Sequence, residues 1–232
     1  MSNILLINKY YPSGLTEEKV LEYYMDNKET VLKECGDAYI IFYIVLENGQ
    51  TVIKRRDTDG KYIKLDEKNY EKHVHKRVLS LWREHESFTN KWIFDLDFGP
   101  NIKENLKKDC VYDILGFYSN LYERGWTWNV SSYRITNTST GYHVFLEMKR
   151  RNSSINNVRL AEEELKKYFE ESNYIINRRN KYKAYNDIII DLSPMYPRGS
   201  YVVPFSLNKN GLICEDVTLK FETYKREDSI LK

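Results

Sequence analysis

The chain has little cysteine, little proline, almost no net charge and no long apolar run, and each shortage removes a class of protein. Its three cysteines, Cys35, Cys110 and Cys214, lie far apart, with no C-x-x-C pair. That spacing argues against a disulfide framework and against a zinc site built from thiolates, so no zinc is expected. A reducing, intracellular setting is expected with it. Five prolines and ten glycines in 232 residues leave no linker or low-complexity tract. No stretch approaches the ~20 apolar residues of a membrane span. The opening "MSNILLINKYYPSG" has neither the basic leader nor the apolar length of a secretion signal. The expectation is a soluble protein with no membrane partner. A formal charge of +2 means that any surface for nucleic acid must be local. What remains, 41% hydrophobic and 30% charged residues, is the composition of a folded domain with a sizeable core.

Along the chain, Leu15 to Cys35 has helical spacing, with Thr16 as N-cap. "DAYIIFYIVLENGQTVIKRR" reads as two strands joined at Asn48-Gly49, and Asp59-Gly60 marks a further turn. "NIKENLKKDCVYDILGFYSNLYERG" predicts an amphipathic helix closed by Gly125, and "INNVRLAEEELKKYFEESNY" predicts a second. Strands are predicted over Trp126 to Thr136, Tyr142 to Met148, "DIIIDLS" and "SYVVPFSL", with "DVTLKFETY" as a further strand. The order predicts an α+β fold, a mainly antiparallel sheet flanked by helices. We expect a single domain over 1–232, with an N-terminal lobe (1–85) and a core (86–222).

One predicted strand, "WIFDLDFG" (Trp92 to Gly99), carries two acids inside an apolar run. Residues two apart in a strand share a face. Asp95 and Asp97 would therefore lie side by side, with Phe94, Leu96 and Phe98 on the other face. Adjacent carboxylates repel, and unpaired burial of charge is costly. A divalent cation would remove the penalty, and oxygen ligands suit Mg²⁺ or Mn²⁺. A polar edge facing water would also account for a lone D-x-D, so the rest of the sequence decides.

Two further places put polar residues where the sheet should make core. In "TSTGYHVFLEM", His143 enters a strand just after a glycine turn. In "IIIDLSPMYPRGSYVVPFSLNKNGL", Asp191 ends an apolar strand and Arg198 begins the next. Breaks of local pattern collect at functional sites. The ordered set D-x-D, G-Y-H and D…R-G…P-x-S-L resembles the three motifs of the archaeo-eukaryotic primase superfamily. That family includes catalytic small subunits of primases, polymerase domains of bacterial end-joining ligases, and viral or plasmid primases. The resemblance runs from about Trp92 to Leu212 and implies a primase-polymerase core of RRM-like type.

By that resemblance Asp95, Asp97 and Asp191 would hold two divalent metals, Mg²⁺ or Mn²⁺, for template-directed nucleotidyl transfer. His143, Arg198, Ser139 and Ser206 would contact the triphosphate, and Asn208 stands where primase small subunits often have histidine. Implied partners are a single-stranded DNA template, an NTP or dNTP, and a primase large subunit or helicase. Primer synthesis in replication is the leading function, and end-joining repair synthesis the alternative within the class. Thr140 departs from the family, which usually has Lys or Arg there, so either Lys149, Arg150 or another basic residue supplies that charge or nucleotide affinity is weak.

Basic clusters occur at Lys54-Arg55-Arg56, at Lys149-Arg150-Arg151 and at Arg178, Arg179, Lys181 and Lys183. The last set interleaves with Tyr182 and Tyr185, a composition suited to phosphate contact plus base stacking. Lys149 and Arg150 are further candidates for nucleic-acid contact. Two rivals stand beside the polymerase. "HVH" (His73, His75) with Tyr168 as nucleophile would make a replication-initiator nuclease. A primase-like module that binds nucleic acid without turnover is the other.

Overall fold

Thr16 caps the first helix as its extended backbone requires, its hydroxyl accepting the Lys19 amide at 3.3 Å. The structure, a computed structural model, describes residues 16–48, 50–123, 130–138, 141–177, 185–208 and 211–222. Gly49, Gly125, Ser139, Thr140, Arg178, Arg179, Lys181, Tyr182 and Lys183 lie outside the described residues. By contact, described residues up to Glu86 group with Arg198–Glu215, and Ser87–Pro197 groups with residues from Asp216 onward. Each unit holds one sheet.

In the first unit, helices α1 (Glu17–Asp26) and α2 (Lys28–Cys35) replace the one predicted helix. The break is at Asn27, whose side-chain amide donates to Tyr23 O at 2.9 Å and closes α1. Val20, Tyr24, Val31 and Cys35 keep a helical spacing across it and enter the core. Strands β1 (Ile40–Val45) and β2 (Thr51–Lys54) form the predicted antiparallel pair. A short helix α3 (Tyr70–His73) precedes β3 (Val78–Glu84). β9 (Ser200–Val202) returns much later to complete a sheet of order β2-β1-β3-β9.

The second unit is built on β4 (Phe88–Phe98), β5 (Val130–Asn137), β6 (Tyr142–Ser153), β7 (Ile175–Asn177) and β8 (Ile188–Asp191). Their order is β5-β6-β4-β8-β7, so β4 is central, and only β7 and β8 run parallel. Helices α4 (Glu104–Glu123) and α5 (Ser154–Tyr168) flank the sheet. Phe117 of α4 packs on Trp92 and Phe94, with ring centroids 6.5 and 6.3 Å away, and also meets Tyr168. The helices therefore cover the face of β4 made by Trp92, Phe94, Leu96 and Phe98. Asp95 and Asp97 point the other way.

"DVTLKFETY" is not a strand among its described residues. α6 (Thr218–Glu222) forms instead, because the Asp216 carboxylate accepts the Thr218 amide at 3.0 Å and the Thr218 hydroxyl at 2.6 Å. Val217 and Phe221 are buried and Leu219 between them is 75% exposed, a spacing of four that no strand would give.

All three cysteines are free and buried. Burial pushes the Cys35 and Cys214 thiols up to about 12, and Cys110 also moves up. The expected outcome is that Ellman's reagent at pH 8 labels none of them in the native protein and all of them in denaturant. Fast native labelling would contradict this burial.

Candidate metal centre

The register of the second sheet puts the acids in one row. Asp95 lies opposite His143 on β6 and opposite Asp191 on β8. Thr136 pairs with His143 on the far side, and Asn177 with Asp191. Directly opposed residues project from the same face, so the row reads Thr136, His143, Asp95, Asp191, Asn177. Asp97 stands two residues beyond Asp95 on that face. One oxygen from each of Asp95, Asp97 and Asp191 lies within 4.8 Å of the others, the one such group of potential ligands among the described residues.

The electrostatics suit a bound cation. Burial pushes the Asp191 carboxyl above its usual range, and the nearby Asp95 and Asp97 charges push it the same way. Hydrogen bonds from Ser193 oppose that rise: its amide donates to Oδ1 at 2.7 Å and its hydroxyl to Oδ2 at 2.8 Å. His143 is 2% exposed. Its Nε2 lies 3.4 Å from Asp95 Oδ1, and its Nδ1 is buried with no hydrogen-bond partner. Three half-buried carboxylates with an all-oxygen donor set suit a hard divalent ion such as Mg²⁺ or Mn²⁺.

The turn before β6 is sterically fixed. A Cβ on Gly141 would lie 1.9 Å from the Leu96 carbonyl oxygen and 3.2 Å from the Phe98 ring. The Gly141 amide donates to Thr138 Oγ1, and the Thr138 amide donates to Gly141 O. Close backbone approach at this glycine holds β6 against the end of β4, where Asp97 and His143 sit.

The structure thus gathers Asp95, Asp97, Asp191 and His143. Arg198, Ser206 and Asn208 belong to the first unit. Arg198 is exposed and has φ 63°, a left-handed backbone that precedes β9. Ser206 is fully buried, its hydroxyl 3.2 Å from the carbonyl oxygens of Leu81 and Leu207. Asn208 is 2% exposed, and its Oδ1 accepts the Leu212 amide at 3.2 Å. Lys149 and Arg150 are exposed on β6, six and seven residues past His143. At about 3.3 Å per residue that is roughly 20 Å or more. Their backbone positions are therefore far along β6 from His143. Sequence reasoning missed Thr136, Asn177 and the grip of Ser193. Only cross-strand register reveals the first two, whereas Ser193 was visible as the D-x-S after a strand.

The nuclease geometry is absent. His73 closes α3, and His75 follows in the turn, where its Nδ1 accepts the Arg77 amide at 3.3 Å. The two histidines share no strand face. Burial and neighbouring cations lower both.

No family model matches the chain, and no curated protein matches its sequence. The fold is shared with a solved structure, the polymerase domain of Mycobacterium tuberculosis Ligase D in complex with DNA. The match has a TM-score of 0.74 at 13% identity and covers 96% of this chain and 88% of that one. The chain thus has an α+β fold like that of this domain and carries an acidic triad on two adjacent strands of its second sheet. Among the described residues no helix is long and apolar enough to cross a membrane.

Proposed function

We propose that the chain is a template-directed nucleotidyltransferase, a DNA primase-polymerase that makes primers in DNA replication. The observation that carries this is the convergence of Asp95, Asp97 and Asp191 from two adjacent strands beside buried His143, in a fold shared with a polymerase domain. The three aspartates would hold two divalent ions, Mg²⁺ or Mn²⁺. Bound there, such ions supply activation of the attacking 3′-oxygen and charge neutralisation at the leaving pyrophosphate. His143 would offer a ring nitrogen to a phosphate oxygen, and Arg198 carries a planar fork of the kind that suits phosphate. Ser139 would add a hydroxyl donor. Ser206 and Asn208, both buried, would act by setting the backbone of the segment after Arg198. Arg178, Arg179, Lys181, Lys183, Lys149 and Arg150 would contact the backbone of single-stranded DNA. A primase large subunit or helicase would hold the chain on its template.

His143→Ala is expected to raise the nucleotide KM about 10–100-fold, the worth of a hydrogen bond to a charged group, with a smaller effect on kcat. Steady-state kinetics against nucleotide concentration checks this. An unchanged KM would remove His143 from the phosphate site.

The second reading, gap filling coupled to ligation, is favoured by the fold shared with a ligase polymerase domain. One assay tests both: single-stranded template, labelled NTPs or dNTPs and Mn²⁺, with and without a primer. Chains made without primer support the primase, and chains made only from a primer support the gap filler. Silence in every lane would overturn turnover and leave a binding module.

A further inference from the structure

We propose that Ser193 is the positioning residue that presets Asp191 for a divalent ion, an inference that rests on the metal-centre reading above. At the end of β8 the chain enters a single turn of 3-10 helix, Ser193–Met195. Leu192, Pro194 and Met195 are buried and fix that turn in the unit's interior. Ser193 is only half-buried and turns back on Asp191. Its amide holds Oδ1 at 2.7 Å and its hydroxyl holds Oδ2 at 2.8 Å. Both oxygens of one carboxylate are thereby tied to one residue, so the carboxylate plane cannot swing. An ionised carboxylate has about four acceptor positions, and two donors leave the others for a ligand. Asp95 is oriented differently, with His143 Nε2 3.4 Å from its Oδ1. Outer partners of this kind orient a metal-binding carboxylate before the ion arrives.

A serine bonded to an aspartate two residues earlier also makes an ordinary turn, so the test must read metal affinity. Mn²⁺ is titrated into the full-length protein, and free ion is followed by its electron paramagnetic resonance signal. Wild type is expected to bind. Ser193→Ala, which keeps the amide and removes the hydroxyl, is expected to bind about 10–100-fold more weakly with an unchanged circular dichroism spectrum. Ser193→Thr restores the hydroxyl and is expected to stay close to wild type. Should the alanine protein fail to fold, Ser193→Cys keeps the size with a weak donor, and weaker Mn²⁺ binding by that folded protein supports the same inference. In kinetics, the Mn²⁺ concentration for half-maximal rate should rise while kcat at saturating metal changes little. Wild-type affinity in a folded Ser193→Ala or Ser193→Cys protein would overturn the role of Ser193 alone. Absence of Mn²⁺ binding by wild type would overturn the metal centre itself.

Discussion

Asp95→Asn and Asp97→Asn are expected to lose nucleotide transfer by a factor on the order of a thousand or more, while melting no lower than wild type in metal-free buffer. The loss follows from the size of the metal's contribution. Lewis-acid stabilisation is worth several kcal/mol, and each ~1.4 kcal/mol is a factor of ten. The preserved melting point follows from the row's own electrostatics. Burial and the Asp95 and Asp97 charges raise the Asp191 carboxyl in the folded state. A raised acid favours folding below its ordinary value and loses that contribution as pH climbs toward the raised value. At neutral pH the ionised triad therefore weighs against the fold. An amide in place of Asp95 or Asp97 removes one repelling charge at nearly constant shape. Mn²⁺ should raise the melting temperature of wild type by binding the native state, and do so little for either variant. Activity assays and thermal melts on the same preparations check both halves. Unfolding of the asparagine proteins would instead make the acids part of the scaffold.

Gly141→Ala is the second large effect, and its sign is set by sterics alone. The new methyl would sit 1.9 Å from a backbone oxygen, that of Leu96, and backbone does not yield as a side chain does. The start of β6 must move away from β4. Overpacking costs about 1–3 kcal/mol, which for a chain of this size lowers the melting temperature by about 2–4 °C per kcal/mol. The displaced segment leads directly into His143, opposite Asp95. A shift of about 1 Å in a catalytic group can cost 10²-fold in rate. We expect a folded, less stable protein with sharply reduced turnover. A melting curve and a rate equal to wild type would mean that the turn relaxes without moving the strand.

The acidic pair was legible because its pattern is local. Period-2 alternation alone separates Asp95 and Asp97 from Phe94, Leu96 and Phe98, and the burial from Phe94 to Phe98 follows that alternation. Asp191 and His143 could be placed on strands, but their approach to Asp95 depends on antiparallel register across three strands. Nothing in a single strand encodes such register. For the same reason β9 was read as a strand, but its pairing with β3, more than a hundred residues earlier in the chain and in the same unit, was not foreseen. The helix break at Asn27 was missed because the apolar spacing runs through it, the amide of Asn27 closing α1 without changing which face is buried. In "DVTLKFETY" the alternation of Val217, Leu219 and Phe221 mimics a strand. Capping by Asp216 and burial of only the first and third residues override it.

The central claim is that Asp95, Asp97 and Asp191 bind divalent ions directly. Anomalous diffraction from crystals grown with Mn²⁺ and a nucleotide tests it with the fewest assumptions. The account predicts anomalous peaks between the three carboxylates, at about 2.0–2.2 Å from their oxygens, as for a hard ion on oxygen ligands. Density without a peak there, or manganese bound elsewhere with the triad unoccupied, would contradict it.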